Sequence, residues 1–155
     1  MANNSLVRVL HVDDEELDLK FTKILLEKID PKIRVECVND PVKAMELLRN
    51  DSYDIVLSDF KMGAISGIQF AEKVRKYKNV PIILYTGYGS EEIAEKAFKA
   101  GINDYIKKEI DTIHYNHLAG RLRKIALMYK AEEQANNIIK NNIQVIPSQK
   151  KKKKY

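Results

Sequence analysis

The chain has 155 residues, a length typical of one domain with a buried core. Its 45% apolar and 32% charged residues are an ordinary balance for a soluble globular protein; no apolar run could span a bilayer, and the N-terminus lacks a signal-peptide pattern. Cys37 is the only cysteine, which excludes an internal disulfide. We therefore expect a cytoplasmic protein in which Cys37 is a small buried side chain of a strand.

The net charge of +5 comes from one end of the chain. Five consecutive lysines occupy residues 150–154, and without them the remaining 22 basic residues balance the 22 acidic ones. Runs of like charge are usually disordered. We therefore expect residues 141–155 to be a basic, disordered tail, which is either simply solvated or weakly attracted to an anionic surface.

Short apolar segments rich in β-branched residues alternate with longer amphipathic segments. The pattern predicts strands at 6–12, 33–38, 54–58, 80–85 and 103–106, and helices at 15–28, 41–50, 67–77, 91–100 and 112–130. Strands that are apolar without alternation are buried on both faces, as in a parallel sheet covered by helices. The fold class is therefore α/β, a doubly wound five-stranded parallel sheet.

The last predicted helix has a weaker continuation. Residues 131–140 permit a helix but have only a weak apolar period, and Pro147 ends any helix beyond them. We therefore divide the chain into a domain at 1–130, a helical extension at 131–140 and the tail at 141–155.

Acidic, hydroxyl and amine side chains stand where the strands end. Asp13 and Asp14 follow the first strand, Asp59 the third, Thr86 the fourth and Lys108 the fifth. Ligands of open α/β sheets bind beyond the carboxyl ends of the strands, so these side chains should converge. Carboxylates this close repel one another unless a cation neutralises them, and Mg²⁺ suits carboxylate oxygens. The alternative is that the acids only stabilise helix starts.

From about residue 6 to about residue 129 the sequence resembles the response-regulator receiver family, the phosphorylated half of two-component signalling. Four motifs carry the resemblance: VDDE at 12–15, SDFKM at 58–62 with Ser66-Gly67 after it, the threonine at 86, and GINDYIKK at 101–108. It implies a flavodoxin-like (βα)5 fold with sheet order 2-1-3-4-5. Gly63 and Glu109 stand where the family usually has proline, and without that proline a cis bond before residue 109 would be costly.

The resemblance implies a role for each residue at the strand ends. Asp59 would accept a phosphoryl group from a phosphohistidine, with Lys108 and Thr86 contacting the transferred group. Asp14 and Asp59 would ligate Mg²⁺, or Mn²⁺, directly, and Asp13 through a water molecule.

The backbone carbonyl of Lys61 would add a further metal ligand. Tyr105 is either an edge-packing residue or a switch residue that follows movement of Thr86. The side chains of Lys61 and Tyr88 overlook the path of a hydrolytic water, and they either shield the phosphoryl group or point to solvent. His11, in the first strand, is expected to be packed and hydrogen-bonded.

The predicted function is a phosphoacceptor switch, not an enzyme beyond its own phosphorylation and dephosphorylation. The implied partners are a sensor histidine kinase or phosphotransfer protein and a downstream protein, which would bind the face formed by the fourth helix, fifth strand and fifth helix. We expect no DNA-binding domain, because few residues follow the last predicted helix. Two alternatives stay open: a receiver module of a longer hybrid kinase, and a receiver anchored to an anionic partner by its lysine tail.

Overall fold

Five parallel strands form the centre of the structure, a computed structural model that describes residues 5–145. The strands of the chain are β1 (Val7–Val12), β2 (Ile33–Val38), β3 (Ile55–Ser58), β4 (Lys61–Met62), β5 (Ile65–Ser66), β6 (Ile82–Thr86) and β7 (Asp104–Lys107). The parallel sheet has the order β2-β1-β3-β6-β7, and β4 and β5 form a separate antiparallel hairpin. Counted within the sheet, the order is 2-1-3-4-5, so the predicted fold class is confirmed.

Helices alternate with the strands of the sheet. They are α1 (Glu16–Ile29), α2 (Pro41–Asn50), α3 (Gly67–Arg75), α4 (Glu91–Lys99) and α5 (Thr112–Val145). Side chains at the helix starts explain two of these boundaries. Asp40 accepts a hydrogen bond from the Val42 amide at the start of α2, and Ser66 forms a reciprocal capping box with Gln69 at the start of α3.

The two faces of the sheet carry separate apolar cores, because successive strand residues point to opposite sides. Val9, Ile55 and Ile83 pack on one face against residues of α1 and α5. Their neighbours in sequence, Leu10, Val56 and Leu84, pack on the other face against α2, α3 and α4. All six side chains are fully buried, as the unbroken apolar strands predicted.

The hairpin of β4 and β5 is absent from the sequence prediction. Lys61 pairs with Ser66 and Met62 with Ile65, while Gly63 between them has φ +84°. Two-residue strands have no periodicity to recognise. The positive φ at Gly63 explains why proline, whose φ is fixed near −65°, does not fit there.

Helix α5 continues past its predicted end. It runs without a break to Val145, so residues 141–145, which the sequence analysis placed in the tail, are helical. No proline or glycine stands between 121 and 146, and Pro147 is the first residue that a helix cannot accommodate. The rest of the expected tail, with its five lysines, lies outside the described residues.

Cys37 is exposed, so its predicted burial is wrong. Strand β2 is an edge of the sheet, and its residues are not buried on both faces. Cys37 opens instead onto a cleft between α1 and α2. Among residues 5–145, no helix combines the length and the apolar character that a bilayer crossing requires.

Candidate functional site

The carboxyl ends of the central strands bring the predicted site residues together. Backbone hydrogen bonds hold the residues that follow each strand in line with the sheet. The amide of Asp13 donates to the Val38 carbonyl at 3.1 Å, and that of Asp59 to the Val12 carbonyl at 3.0 Å. The amide of Lys108 donates to the Thr86 carbonyl at 3.0 Å. The site is therefore anchored on the most buried part of the fold.

Three carboxylates meet at this edge. One oxygen from each of Asp13, Asp14 and Asp59 lies within 4.8 Å of the others. Asp13 and Asp59 are buried and Asp14 is exposed, so the group opens to solvent on one side. Burial raises the pKa of Asp13 to about 6, although the hydrogen bond from Lys108 acts in the opposite direction.

Lys108 contacts two members of the three-carboxylate group, Asp13 and Asp59, and the neighbouring Asp18. Its Nζ lies 2.7 Å from Asp13 Oδ2, 2.9 Å from Asp18 Oδ2 and 3.4 Å from Asp59 Oδ2. Burial opposes its charge, but the hydrogen bonds to Asp13 and Asp18 outweigh burial and raise the pKa of Lys108 above its ordinary value. Lys108 is therefore a fixed positive charge beside Asp59.

Asp59 is held by its own loop. Its Oδ1 accepts a hydrogen bond from the Phe60 amide at 2.7 Å. The backbone approaches closely here, because a Cβ at Gly67 would lie 2.2 Å from the Asp59 carbonyl oxygen. Only glycine fits at 67, which explains the Ser66-Gly67 pair at the start of α3.

Thr86, Tyr88 and Tyr105 form one hydrogen-bonded group beside the carboxylates. Thr86 is buried, and its Oγ1 accepts a hydrogen bond from the Tyr88 amide at 3.1 Å. The Tyr105 hydroxyl donates to the Tyr88 carbonyl at 3.1 Å. Lys61 Nζ lies 4.3 Å from the centre of the Tyr88 ring, so the two side chains proposed to overlook the phosphoryl site contact each other.

Two features of the site differ from the sequence analysis. His11 is fully buried as expected, but neither ring nitrogen has a hydrogen-bond partner among residues 5–145, where the predicted hydrogen bond is therefore not found. Burial lowers the pKa of His11 to about 3, which keeps the ring neutral. Asp18 was missed as a partner of Lys108. The available signal was its position as an acidic residue in the first turn of α1, directly after the acids that follow β1.

The residues of the carboxylate group fit a hard divalent cation. Carboxylate oxygens are the ligands that Mg²⁺ prefers, and the exposed Asp14 leaves room for water molecules. Asp13 is less available as a direct ligand of the ion, because its two oxygens already accept hydrogen bonds from the Glu15 amide and from Lys108. A water-mediated contact of Asp13 with the ion agrees with this geometry.

A family model for the response regulator receiver domain matches residues 9–118. This match covers most of the chain, and the chain belongs to that family. The sheet order is the one that the sequence resemblance implied, and the assignment to two-component signal transduction is confirmed.

Relatives include proteins of several kinds. Residues of this chain are 30% identical over 107 positions to the cyclic di-GMP phosphodiesterase response regulator RpfG of Xanthomonas campestris, covering 67% of this chain and 28% of that protein. They are 33% identical over 100 positions to the transcriptional regulatory protein SrrA of Staphylococcus aureus, covering 64% of this chain and 41% of that protein. The chain thus spans less than half the length of these curated relatives.

Solved structures give the same fold. The receiver domain protein of Methanospirillum hungatei superposes with a TM-score of 0.72 at 26% identity, covering 83% of this chain and 99% of that chain. The receiver domain of the Francisella response regulator 1452 superposes with a TM-score of 0.67 at 26% identity, covering 76% of this chain and 97% of that chain.

Proposed function

We propose that this receiver is a magnesium-dependent phosphoryl acceptor, and that Asp59 is the residue that becomes phosphorylated. The observation that carries the proposal is the pairing of a buried carboxylate with a fixed ammonium. Asp59 lies 3.4 Å from Lys108 Nζ and within reach of two further carboxylates that could hold a cation. A phosphoryl group on Asp59 would therefore meet positive charge on its oxygens.

The proposed step is transfer from a phosphohistidine of a sensor kinase or phosphotransfer protein. An Asp59 carboxylate oxygen attacks phosphorus and the P–N bond breaks, with its electron pair going to the ring nitrogen. The donor ring carries a proton on its other nitrogen, so the histidine leaves as a neutral imidazole. Asp59 Oδ1 is oriented by the Phe60 amide, which leaves Oδ2, on the Lys108 side, as the attacking oxygen. Lys108 then neutralises charge on the transferred group.

A bound Mg²⁺ would supply further positive charge to the phosphoryl oxygens. Asp14 and Asp59 would hold it directly, Asp13 through water, and the Lys61 carbonyl would add a backbone ligand. Mn²⁺ has similar ligand preferences and could replace it. The supporting observation is the clustering of the three carboxylates, which needs a second cation because Lys108 already contacts Asp13, Asp18 and Asp59.

The proposed output is a population shift of the surface formed by α4, β7 and α5. Thr86 would turn its hydroxyl from the Tyr88 amide to a phosphoryl oxygen, a charge-assisted hydrogen bond. Tyr105, which is half-buried and tied to the Tyr88 carbonyl, would move into the vacated space. A downstream protein that reads this surface would then bind one state better than the other.

The deciding experiment is phosphorylation by acetyl phosphate or carbamoyl phosphate with Mg²⁺, followed by the mass of the intact protein. The parent should gain one phosphoryl group and Asp59→Asn none, while the exposed, remote Asp51→Asn serves as the matched control. Asp59→Asn is nearly isosteric and removes carboxylate repulsion, so it should keep the fold, as checked by circular dichroism. A phosphorylated Asp59→Asn variant would exclude Asp59 as the acceptor.

A further inference from the structure

In the part of α5 from Met128 to Ile143, the large apolar side chains face solvent and not the rest of the protein. Large apolar side chains are exposed here: Met128 to 54%, Ile138 to 60%, Ile139 to 55% and Ile143 to 44%. All residues from 130 to 143 are exposed. An apolar stripe on the solvent side of a helix needs a partner, since scattered exposure would not recur at helical spacing.

The orientation of this stripe follows from α5 itself. The helix packs on the sheet through Leu118, Leu122 and Ala126, which are buried. Continued at 3.6 residues per turn, the same side of the helix carries Tyr129, Glu133, Asn136 and Lys140. Tyr129 contacts the receiver core, where its hydroxyl donates to Asn79 Oδ1 at 3.0 Å. The core therefore faces polar residues, and the apolar stripe points the other way.

The spacing of the stripe is that of a coiled coil. Met128, Ala131, Ala135, Ile138 and Asn142 follow one another at steps of three, four, three and four residues. This average of 3.5 residues is the repeat at which two helices wind around each other left-handedly. Small Ala131 and Ala135 permit a close approach of the helices, and Ile139 and Ile143 widen the apolar surface on one side.

We propose that the stripe Met128–Asn142 joins two copies of this chain in a parallel, in-register coiled coil. Asn142 is the reason for choosing a second copy as the partner. Its side-chain amide both donates and accepts a hydrogen bond, and a two-fold axis would place the Asn142 of the other copy opposite it. An antiparallel pair would set Asn142 against Ala131, which offers its amide no partner. A polar residue within an apolar seam thus specifies both partner and direction.

The positions of the charged side chains in this part of α5 are compatible with a pair of identical, parallel helices. The positions that flank the seam are Leu127, Glu132, Gln134, Ile139 and Asn141, of which only one is charged. Lys130, Glu133 and Lys140 lie away from the seam, so identical charges do not face each other across it. The seam from 128 to 142 is about 21 Å long at 1.5 Å per residue, which is short. We therefore expect a dimer that dissociates on dilution.

Cysteine cross-linking tests the seam and its direction. In a Cys37→Ser background, Ala135→Cys should form a disulfide between two copies under mild oxidation, because a parallel, in-register pair brings residue 135 against itself and this variant keeps Asn142. Asn137→Cys, on the opposite side of the same helix and equally exposed, is the matched control and should stay unlinked. Equal linking of the two variants, or linking of neither, would overturn the parallel dimer.

Sedimentation of the uncross-linked protein gives an independent measurement. The average mass of the parent should rise with concentration toward that of two chains. Ile138→Asp should weaken the association by about ten-fold or more, a factor worth about 1.4 kcal/mol, while Asn137→Asp leaves it unchanged. Circular dichroism and phosphorylation by acetyl phosphate check that both variants fold. A parent that stays monomeric at every concentration, or that binds only an unrelated protein, refutes the proposal.

Discussion

At the scale of single residues, the site is a balance of charges. Lys108 contacts three carboxylates at once, and its positive charge offsets part of the repulsion among them. Asp14 is the acid that Lys108 does not reach and that remains exposed. Asp14 is therefore the residue best placed to receive an added cation without breaking an existing ion pair.

Removing Asp14 should abolish stabilisation by Mg²⁺. Bound metal stabilises the folded state by mass action, about 1.4 kcal/mol at a concentration ten times its Kd. Thermal unfolding of the parent should shift upward with Mg²⁺ relative to chelator, and that of Asp14→Ala should not. Glu15→Ala, the loss of the exposed acid next in sequence, is the control and should keep the shift. Identical melting curves of the parent with and without metal would exclude this metal site.

Lys61 and Tyr88 should control how long Asp59 stays phosphorylated. Their contact at 4.3 Å is a cation–π pair, worth about 0.5–1 kcal/mol at an exposed site. If the pair covers the phosphoryl group, Lys61→Ala/Tyr88→Ala should lose phosphate several-fold faster, because water gains an in-line approach. Loss of phosphate is followed after removal of the donor, with the exposed Lys107→Ala as control. A double variant with an unchanged or slower rate would disprove shielding.

At the scale of elements, the loop between β6 and α4 and the strand β7 are linked by one side chain. The Tyr105 hydroxyl reaches the Tyr88 carbonyl across this loop. It also passes so close to Gly89 that a Cβ there would lie 2.2 Å from the Tyr105 oxygen. The present position of Tyr105 thus depends on a glycine at 89.

Gly89→Ala should displace the Tyr105 ring without phosphorylation. The end of a side chain can move, so the fold should persist, whereas the bond to Tyr88 is lost. Gly87→Ala is a matched control, since its Cβ would meet nothing within 4 Å. The NMR signals of the Tyr105 ring should shift in Gly89→Ala alone, and its phosphorylation rate should change if Tyr105 belongs to the switch. Equal shifts in both variants would remove Gly89 as a constraint on Tyr105.

The sequence predicted those elements whose burial leaves a clear pattern of apolar residues. The central strands β1, β3 and β6 were predicted from unbroken apolar runs because they are buried on both faces. The helices α2 and α3 were predicted from their apolar period, and caps at Asp40 and Ser66 stabilise their starts. The exposure of Cys37 could not be predicted, because it depends on the position of β2 at the edge of the sheet. Which strands lie at the edges follows from the strand order and not from the sequence of one strand. The unpaired nitrogens of His11 likewise depend on neighbours that the sequence does not bring next to it.

At the scale of the whole molecule, α5 has two parts with different energetics. Up to Tyr129 it is packed on the sheet, with Leu118 and Leu122 buried. From Lys130 to Ile143 its residues are exposed. Its continuation over 141–145 was not predicted because residues 130–143 are all exposed and show no pattern of buried positions, so that only local helix propensity could indicate it.

Deleting residues 131–155 should therefore leave the receiver almost unchanged. The contacts of Tyr129 with Asn79 and of Lys130 with Asp54 remain. We expect the free energy of unfolding in urea, measured at a concentration too low for self-association, to change by no more than about 0.5 kcal/mol. Phosphorylation by acetyl phosphate should proceed at the parental rate.

Leu122→Ala in the full chain is the matched comparison within the same helix. Its side chain is fully buried between α5 and the sheet, so its loss leaves a cavity and should cost about 2–5 kcal/mol. If the deletion of 131–155 costs as much as Leu122→Ala, the extension packs on its own receiver core. Its apolar stripe would then be covered from within the chain. If the deletion costs little and abolishes only the concentration-dependent mass increase, the extension acts between copies.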